Sequence, residues 1–427
     1  VQSGSQTFQN GRTLMSEIYK KIERIEPDWY SEFIRNKNGD IKEKVMTNVT
    51  LILQNDPLFK NLFKFNAFVE EKEMSKDLRV SGGVIQKGTM HDVDALFLIA
   101  YIERTYHFAV TEQLMYSAVT MVSQLEDNRY NPATNYFDYA EQNWDGIERA
   151  STFLVEFLGA PKTDITTLIT NIFFIGAVAK AYNPMTKFDF SLDIVGDQGT
   201  GKTTLLKKLG REFYVDTIQD FKNKDEYIKM QRALIVHDDE MQATNASGFD
   251  VLKKFLSTEI LEYRAPFGRN SVRHARHFVV ARTSNQVDYL KDKTGNRRFL
   301  PILSSREKQV KHPYTDLTDD LVLQFWGEMV HKYKTIGIQY PTIEESEALE
   351  KYREDFVYVD EIENKINIFL DNTDLEWVAS SDIADKALGG VDLVKNQSIS
   401  RKINNIMNNK PDWRKGRKGN GRVWWRK

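Results

Sequence analysis

The octapeptide Gly196-Asp197-Gln198-Gly199-Thr200-Gly201-Lys202-Thr203 constrains this chain more than any other feature. Glycines at this spacing let successive backbone N–H groups turn toward phosphate oxygens, and a helix opening at the lysine adds the partial positive charge of its N-terminus. The pattern is a P-loop, and its setting fits: the apolar residues 188–195 read as a strand before it and residues 203–209 as a helix after it. Residues Gly196 to Thr204 are therefore expected to bind the nucleotide, with Lys202 on the β- and γ-phosphates and Thr203 on Mg²⁺. ATP and Mg²⁺ are the cofactors this chemistry calls for.

A P-loop needs an acid from a neighbouring strand to hold its metal, and Leu234-Ile235-Val236-His237-Asp238-Asp239-Glu240 supplies one about thirty residues on. Asp239 is the choice for the magnesium side, with Asp238 an open alternative. Glu240 would polarise the attacking water, the feature that separates an ATPase from a small-molecule kinase. A solvated acidic cluster is the plain alternative. His237 reads as a packing or hydrogen-bonding residue, because no metal-type histidine spacing occurs elsewhere. A third strand, 277–282, runs into Thr283-Ser284-Asn285, where Asn285 suits a group that orients the lytic water. Arg297 and Arg298 precede the apolar run Phe299-Leu300-Pro301-Ile302, and one of them is expected to reach a γ-phosphate. A surface pair held in salt bridges competes with that reading.

Residues 260–276 read as a hairpin with its turn at 268–270. Arg264, Arg269 and Arg273 on such a projection suit a nucleic-acid backbone, and Tyr263 or Phe267 could stack on bases. Pro266 counts against a regular strand there, and intersubunit salt bridges are the competing role.

Residues 356–427 parse as helix (357–370), short strand (376–379), helix (381–388), helix (398–407) and two strands around a glycine-rich turn (412–425). That order is a winged helix. Arg401 falls on its recognition helix, and Arg414, Lys415, Arg417, Lys418 and Arg422 on its wing, where they would lie along phosphates. Tryptophans at 413, 424 and 425 argue for an ordered unit rather than a solubilising tail. The formal charge of −2 thus conceals a basic end: residues 401–427 hold ten Lys and Arg against one acid, leaving −2 − 9 = −11 for the rest.

Helix-period stripes at 49–53, 95–102 and 114–121 predict a helical N-terminal region. Asp92 and Asp94 invite comparison with the paired metal carboxylates of a primase, but their place with Thr89 just before an apolar run fits a helix N-terminus better. The most apolar run, 165–181, is too interrupted for a membrane span and reads as a buried helix. The polar residues 2–12 lack the apolar core of a secretory signal. With no cysteine, disulfide scaffolds, zinc ribbons and thiolate catalysis are excluded, and a reducing compartment is permitted.

In combination the P-loop, Asp239-Glu240, Tyr263-Arg264-Ala265-Pro266-Phe267-Gly268-Arg269, Thr283-Ser284-Asn285 and Thr294-Gly295-Asn296-Arg297-Arg298-Phe299-Leu300-Pro301-Ile302 resemble the virulence-associated protein E family. The likeness spans residues 48–356. These are replicative ATPases of phages and pathogenicity islands, related to superfamily 3 helicases. The resemblance implies an AAA+ core, a homo-oligomeric, hexameric ring with ATP at subunit interfaces, translocation on DNA, a bacterial cytoplasmic setting, and Arg297 or Arg298 acting in trans. It also places the hairpin around Arg269 toward the central channel. Members are often fused to, or encoded beside, a primase, which makes a primase a candidate partner. One departure is His237-Asp238, where many relatives carry a Glu and an apolar residue.

The expected architecture is multidomain α/β: an N-terminal segment (1–45), a helical domain (46–157), a P-loop ATPase core (158–310), a helical lid (311–355) and a winged helix (356–427). The expected function is an ATP-dependent DNA helicase or replication initiator acting on single-stranded DNA and a duplex origin, with no membrane partner. An origin-binding initiator or loader that melts DNA without processive unwinding is the alternative. A metabolite kinase is disfavoured by Glu240, Asn285 and the arginine pair.

Overall fold

Between residues 191 and 304 the short apolar runs assemble into one five-stranded sheet. In space its strands run Phe299–Ser304, Ser191–Gly196, Val279–Ser284, Ile235–Asp238, Tyr214–Val215. Every neighbouring pair is parallel, so in chain order the sheet reads 5-1-4-3-2. The structure is a computed structural model that describes residues 27–264, 271–291, 295–358, 360–419 and 421–427. The chain divides into two compact units, Val1–Tyr136 and Phe137–Lys427.

Parallel strands are buried on both faces, which is why they read as nearly unbroken apolar runs. All six residues of Ser191–Gly196 and of Val279–Ser284 are buried. Val195, Val236 and Val280 pack with Phe221, Leu252 and Phe255 in one core. Asp193 and Arg282, register partners on adjacent strands, are both buried and joined by a 2.8 Å bond from Nε to Oδ1.

The apolar run expected as a buried helix is helix Asp164–Tyr182. Apolar all round, it must be enclosed, and Phe174 packs edge-on against Phe325 and Trp326 of helix Asp319–Ile336. At Gly176 a Cβ would lie 2.1 Å from the Phe188 ring, so only glycine permits this approach. The expected lid segment comprises helices Pro313–Asp316, Asp319–Ile336 and Ile343–Arg353.

The first unit is less helical than its stripes predict. Helices Met46–Asn55, Asp92–Tyr106 and Glu112–Ser123 form as expected, but the intervening chain folds into strands Glu71–Met74, Phe63–Asn66, Gly88–Thr89 and, with Arg129–Tyr130, a four-stranded sheet. A separate hairpin pairs Leu78–Val80 with Gly83–Ile85. These strands are two to four residues long, too short to show alternation, and glycines at 82, 83 and 88 break any helical period. Asp94 accepts from the His91 backbone N–H in a capping box at helix Asp92–Tyr106, while Asp92 accepts from Tyr116. The two aspartates are thus occupied as helix-terminus groups. Thr89, expected beside them, instead pairs in the sheet.

At the other end, helix Glu361–Asp371, strand Trp377–Ala379, helices Ser380–Lys386 and Gln397–Asn408, and strands Trp413–Lys418 and Gly421–Arg426 follow in order. The first helix starts later than its pattern suggests because Asp360 caps it, accepting from Ile362 N and Glu363 N. The sheet places Gly421–Arg426 between the other two strands. Ile366, Ile383, Ile403, Met407, Trp413 and Trp424 fill its core.

Candidate functional site

Because the central sheet is parallel, its strands all end at one edge, and the loops there form the crevice in which α/β folds bind ligands. The P-loop follows Ser191–Gly196 and opens helix Lys202–Gly210. Gly196, Gly199 and Gly201 have φ of 118°, 82° and 81°, in the region that favours glycine. Lys202 is buried, and its Nζ donates to Gly196 O at 3.0 Å, Asp197 O at 2.9 Å and Asn285 Oδ1 at 2.9 Å. Burial lowers its pKa, against the pull of Glu240, Asp197 and Asp239. An ammonium held in this way suits a phosphate group arriving among the loop N–H groups. Gln198 is exposed, and Thr204 sits half-buried in the first helical turn beside Thr203.

A second segment, unrecognised in the sequence, braces the loop from outside. Gln309 Nε2 donates to Thr200 O at 2.8 Å, and His312 bonds Gly199 O at 3.2 Å. Arg306 N donates to Asp197 Oδ2 at 2.9 Å, and Thr200 Oγ1 donates to Ser304 Oγ at 3.4 Å. The carbonyls of Gly199 and Thr200 are thereby engaged from outside, and the Asp197 N–H donates to Ser304 O at 3.2 Å. No local signal marks these residues, since they meet the loop from more than a hundred positions away.

The two candidate aspartates occupy different environments. Asp238 is buried and accepts from Ala243 N at 2.8 Å, Thr244 N at 3.0 Å and the Thr244 hydroxyl, capping helix Gln242–Ser247. Burial pushes its pKa up. Asp239 is half-exposed; its Oδ1 receives Thr203 Oγ1 at 3.3 Å and Thr283 Oγ1 at 2.9 Å. A carboxylate and a hydroxyl this close are hard oxygen donors of the kind Mg²⁺ takes together with waters and phosphates. His237 is fully buried between Tyr214 OH at 2.6 Å and Thr283 Oγ1 at 2.8 Å, and burial pushes its pKa down to about 4.

Glu240 and Met241 follow with φ of 49° and 52°, two consecutive left-handed residues without glycine. Such backbone costs of order 1 kcal/mol or more per residue and is sustained where the surroundings enforce it. Here it brings the Glu240 carboxylate onto Asn285, whose Nδ2 donates to Oε1 at 2.9 Å. Asn285 ends the strand that lies between the P-loop strand and the acidic strand, so its amide touches Lys202 with one end and Glu240 with the other.

Arg297 and Arg298 stand at the opposite end of the sheet. They precede Phe299, which is in register with Ser191, whereas Ser304 is in register with Gly196. Five residue steps, roughly 17 Å, therefore separate the pair from the P-loop of the same chain. Arg298 is held in place, with Nε 3.0 Å from Ser257 Oγ and 3.6 Å from Asp189. Arg297 is exposed, and its guanidinium has no hydrogen-bond or ion-pair partner among the described residues. It lines a cavity of about 990 Å³ together with Phe190, Tyr340, Leu349 and Arg353.

The hairpin pairs Ile260–Tyr263 with Val272–Ala275. Arg264 and Arg273 are exposed on it; Arg269, with the turn and Phe267, lies outside the described residues. Tyr263 is buried and stacks on His274 at 4.3 Å, so the expectation that it stacks on bases does not hold. Arg276 is also buried, donating to the carbonyls of Phe188 and Leu256 rather than projecting.

In the C-terminal segment Arg401, Arg414, Lys415 and Arg417 are exposed, and their side chains have no hydrogen-bond or ion-pair partner among the described residues. Lys418 lies over the Trp377 ring at 3.8 Å. The side chain of Arg422 lies outside the described ones. Trp424 and Trp413 are core residues, and Trp424 Nε1 donates to Asn408 at 3.2 Å.

The profile of the virulence-associated protein E-like domain matches residues 139–358, just over half of the chain. No curated protein matches. Solved structures similar to the chain include the A form apo structure of the NrS-1 C terminal region (305-718), at 14% identity and TM-score 0.45, covering 90% of this chain and 99% of that one. A second apo structure of that region gives the same values.

Proposed function

This chain belongs to the virulence-associated protein E-like family, and from that premise we propose that it is an ATP-dependent, ring-forming DNA helicase or replication initiator of a phage or pathogenicity island. Asn285 bridging Lys202 and Glu240 carries the reading. A lysine for phosphates and a carboxylate for water, coupled through one amide, form the arrangement that water attack on a γ-phosphate requires. The 5-1-4-3-2 parallel order supports an AAA+ core, and the helix-strand-helix-helix-strand-strand order of the C-terminal segment supports a winged helix.

On this reading Lys202 neutralises phosphate charge, Glu240 takes the proton of the attacking water, and Asn285 holds the carboxylate in line. Thr203 and Asp239 would hold Mg²⁺, which supplies charge neutralisation for the transferred phosphoryl group. Asp238 is left out because its oxygens are committed to Ala243 and Thr244. Arg297 cannot reach the P-loop of its own chain, so a role at the γ-phosphate requires a neighbouring copy in a head-to-tail, closed assembly such as a hexamer. The free cations Arg401, Arg414, Lys415 and Arg417, with Lys418 and Arg422, would follow duplex phosphates, and Arg264, Arg269 and Arg273 the single strand. A primase remains a candidate partner through the family.

ATP hydrolysis with and without forked DNA, together with the mass of the assembly bound to an ATP analogue, tests this. The reading expects a nucleotide-dependent ring and DNA-stimulated hydrolysis. Phosphoryl transfer to a small hydroxyl compound with no DNA stimulation would reject it.

A further inference from the structure

A chain of hydrogen bonds joins Tyr214 on the edge strand to Asp239, and its direction is read from the carboxylate end. A carboxylate oxygen only accepts, so Thr283 Oγ1 donates to Asp239 Oδ1 at 2.9 Å. With its proton committed there, Thr283 Oγ1 accepts in its 2.8 Å contact with His237 Nε2, which must therefore carry a hydrogen. A neutral imidazole protonated at Nε2 has a bare Nδ1 that can accept from Tyr214 OH, 2.6 Å away; the Asp216 carboxylate is a second acceptor beside the same phenol. The backbone N–H of Glu240 points at the same Thr283 hydroxyl at 3.4 Å, which agrees with an oxygen that accepts. Full burial of His237 excludes water from the middle of the chain. The hydroxyls of Thr203 and Thr283 both land on Oδ1 of Asp239; among the described residues Oδ2 receives no hydrogen bond.

We propose that Tyr214, His237 and Thr283 form a positioning relay that pins Oδ1 of Asp239 and so presents Oδ2 to a divalent cation. This rests on Asp239 being the metal-side acid. It gives His237 a task beyond packing: its tautomer selects which way the Thr283 hydroxyl points. Were Nδ1 protonated instead, Nε2 would demand the Thr283 proton and Asp239 Oδ1 would lose the nearer of its two donors. Partners one bond removed from a metal ligand commonly change metal affinity by about 10- to 100-fold when removed.

The test is a Mg²⁺ titration of fluorescent ATP-analogue binding in the full chain, with analogue affinity in EDTA as the control. His237→Leu is expected to raise the Mg²⁺ needed for half-saturation by about tenfold or more while changing the EDTA affinity less than about twofold. His237→Gln, whose amide nitrogen can replace Nε2–H as donor, should recover most of the loss. Thr283→Val should match His237→Leu, and the double variant should be no worse than Thr283→Val alone. Tyr214→Phe, the mildest change, should shift the requirement in the same direction by a smaller factor, and it decides the matter if the His237 variants do not fold. An unchanged Mg²⁺ requirement in both His237→Leu and Tyr214→Phe overturns the relay, as does an equal loss in EDTA or full additivity of the double variant. Asp239→Asn separates the two levels. If it leaves the requirement unchanged, the metal-side reading fails and takes the relay with it; if it raises the requirement while the relay variants do not, the relay alone fails.

Discussion

Lys202 and Asn285, eighty-three positions apart, meet through a 2.9 Å hydrogen bond from Nζ to Oδ1, and the other end of the Asn285 amide holds Glu240. The phosphate-binding and water-activating groups are thereby coupled through one side chain. Lys202→Ala should therefore abolish nucleotide binding and turnover together. Glu240→Gln should keep ATP binding and lower hydrolysis by about 10²-fold or more, the usual scale for losing a general base. Equilibrium binding of an ATP analogue, measured beside turnover, checks the split; equal loss of binding in both variants would contradict it.

The anchoring of Arg298 and the freedom of Arg297 assign them separate consequences. Arg297→Ala should lower ATPase by about 10³-fold with little change in stability. Mixed with Lys202→Ala subunits it should regain activity, because one subunit then supplies an intact P-loop and its neighbour an intact arginine. No recovery on mixing would exclude action in trans.

Arg282 and Asp193 form a fully buried ion pair whose carboxylate also accepts from Ser191 and Tyr289. Removing one member leaves a buried charge uncompensated, at a cost of about 3–5 kcal/mol. Asp193→Ala should show that loss in urea unfolding, and a change below about 1 kcal/mol would mean that the pair is not buried.

His237 and His277 are both buried with pKa values pushed down to about 4, by burial first. In the unfolded chain each takes a proton near its ordinary value of about 6.5. Between those limits the unfolded state binds more protons, so stability is fully present above about pH 6.5 and falls as pH drops toward 4. From pH 7 to pH 5 the loss should be roughly 2 kcal/mol for each histidine. His277→Gln should flatten the dependence of unfolding free energy on pH; an unchanged slope would contradict the assignment.

Neutralising Arg414, Lys415 and Arg417 together should weaken duplex binding and reduce the slope of log affinity against log salt by about 3, at ~0.9 for each phosphate no longer neutralised. Basal ATPase should be unaffected. An unchanged salt slope would remove the wing from the DNA-binding surface.

Much of the candidate site is legible in the sequence because its residues lie beside strong local patterns. Gly196 to Thr203 declares itself by glycine spacing, and Asp239-Glu240 and Asn285 follow two short apolar runs that read as strands. The choice between Asp238 and Asp239 is not legible, since it depends on Thr244 and Ala243 engaging one of them. The brace from Ser304 to His312 is invisible for a similar reason: its bonds reach the loop from more than a hundred positions away, and no local pattern marks Arg306, Gln309 or His312. Tyr263 misleads because aromatic and basic residues on a hairpin look alike whether they face solvent or, like Tyr263 on His274, a partner. In the first unit, strands of two to four residues carry too few alternations to stand out against strong helical stripes.

If hydrolysis at the Lys202–Asn285–Glu240 site drives strand separation, displacement of one strand from a forked duplex measures it without intermediary. Displacement is expected from the unaltered chain with ATP, none with a non-hydrolysable analogue, and none from Glu240→Gln. Sustained ATP hydrolysis on the fork without displacement would contradict the helicase reading and favour an initiator that remodels DNA without unwinding it.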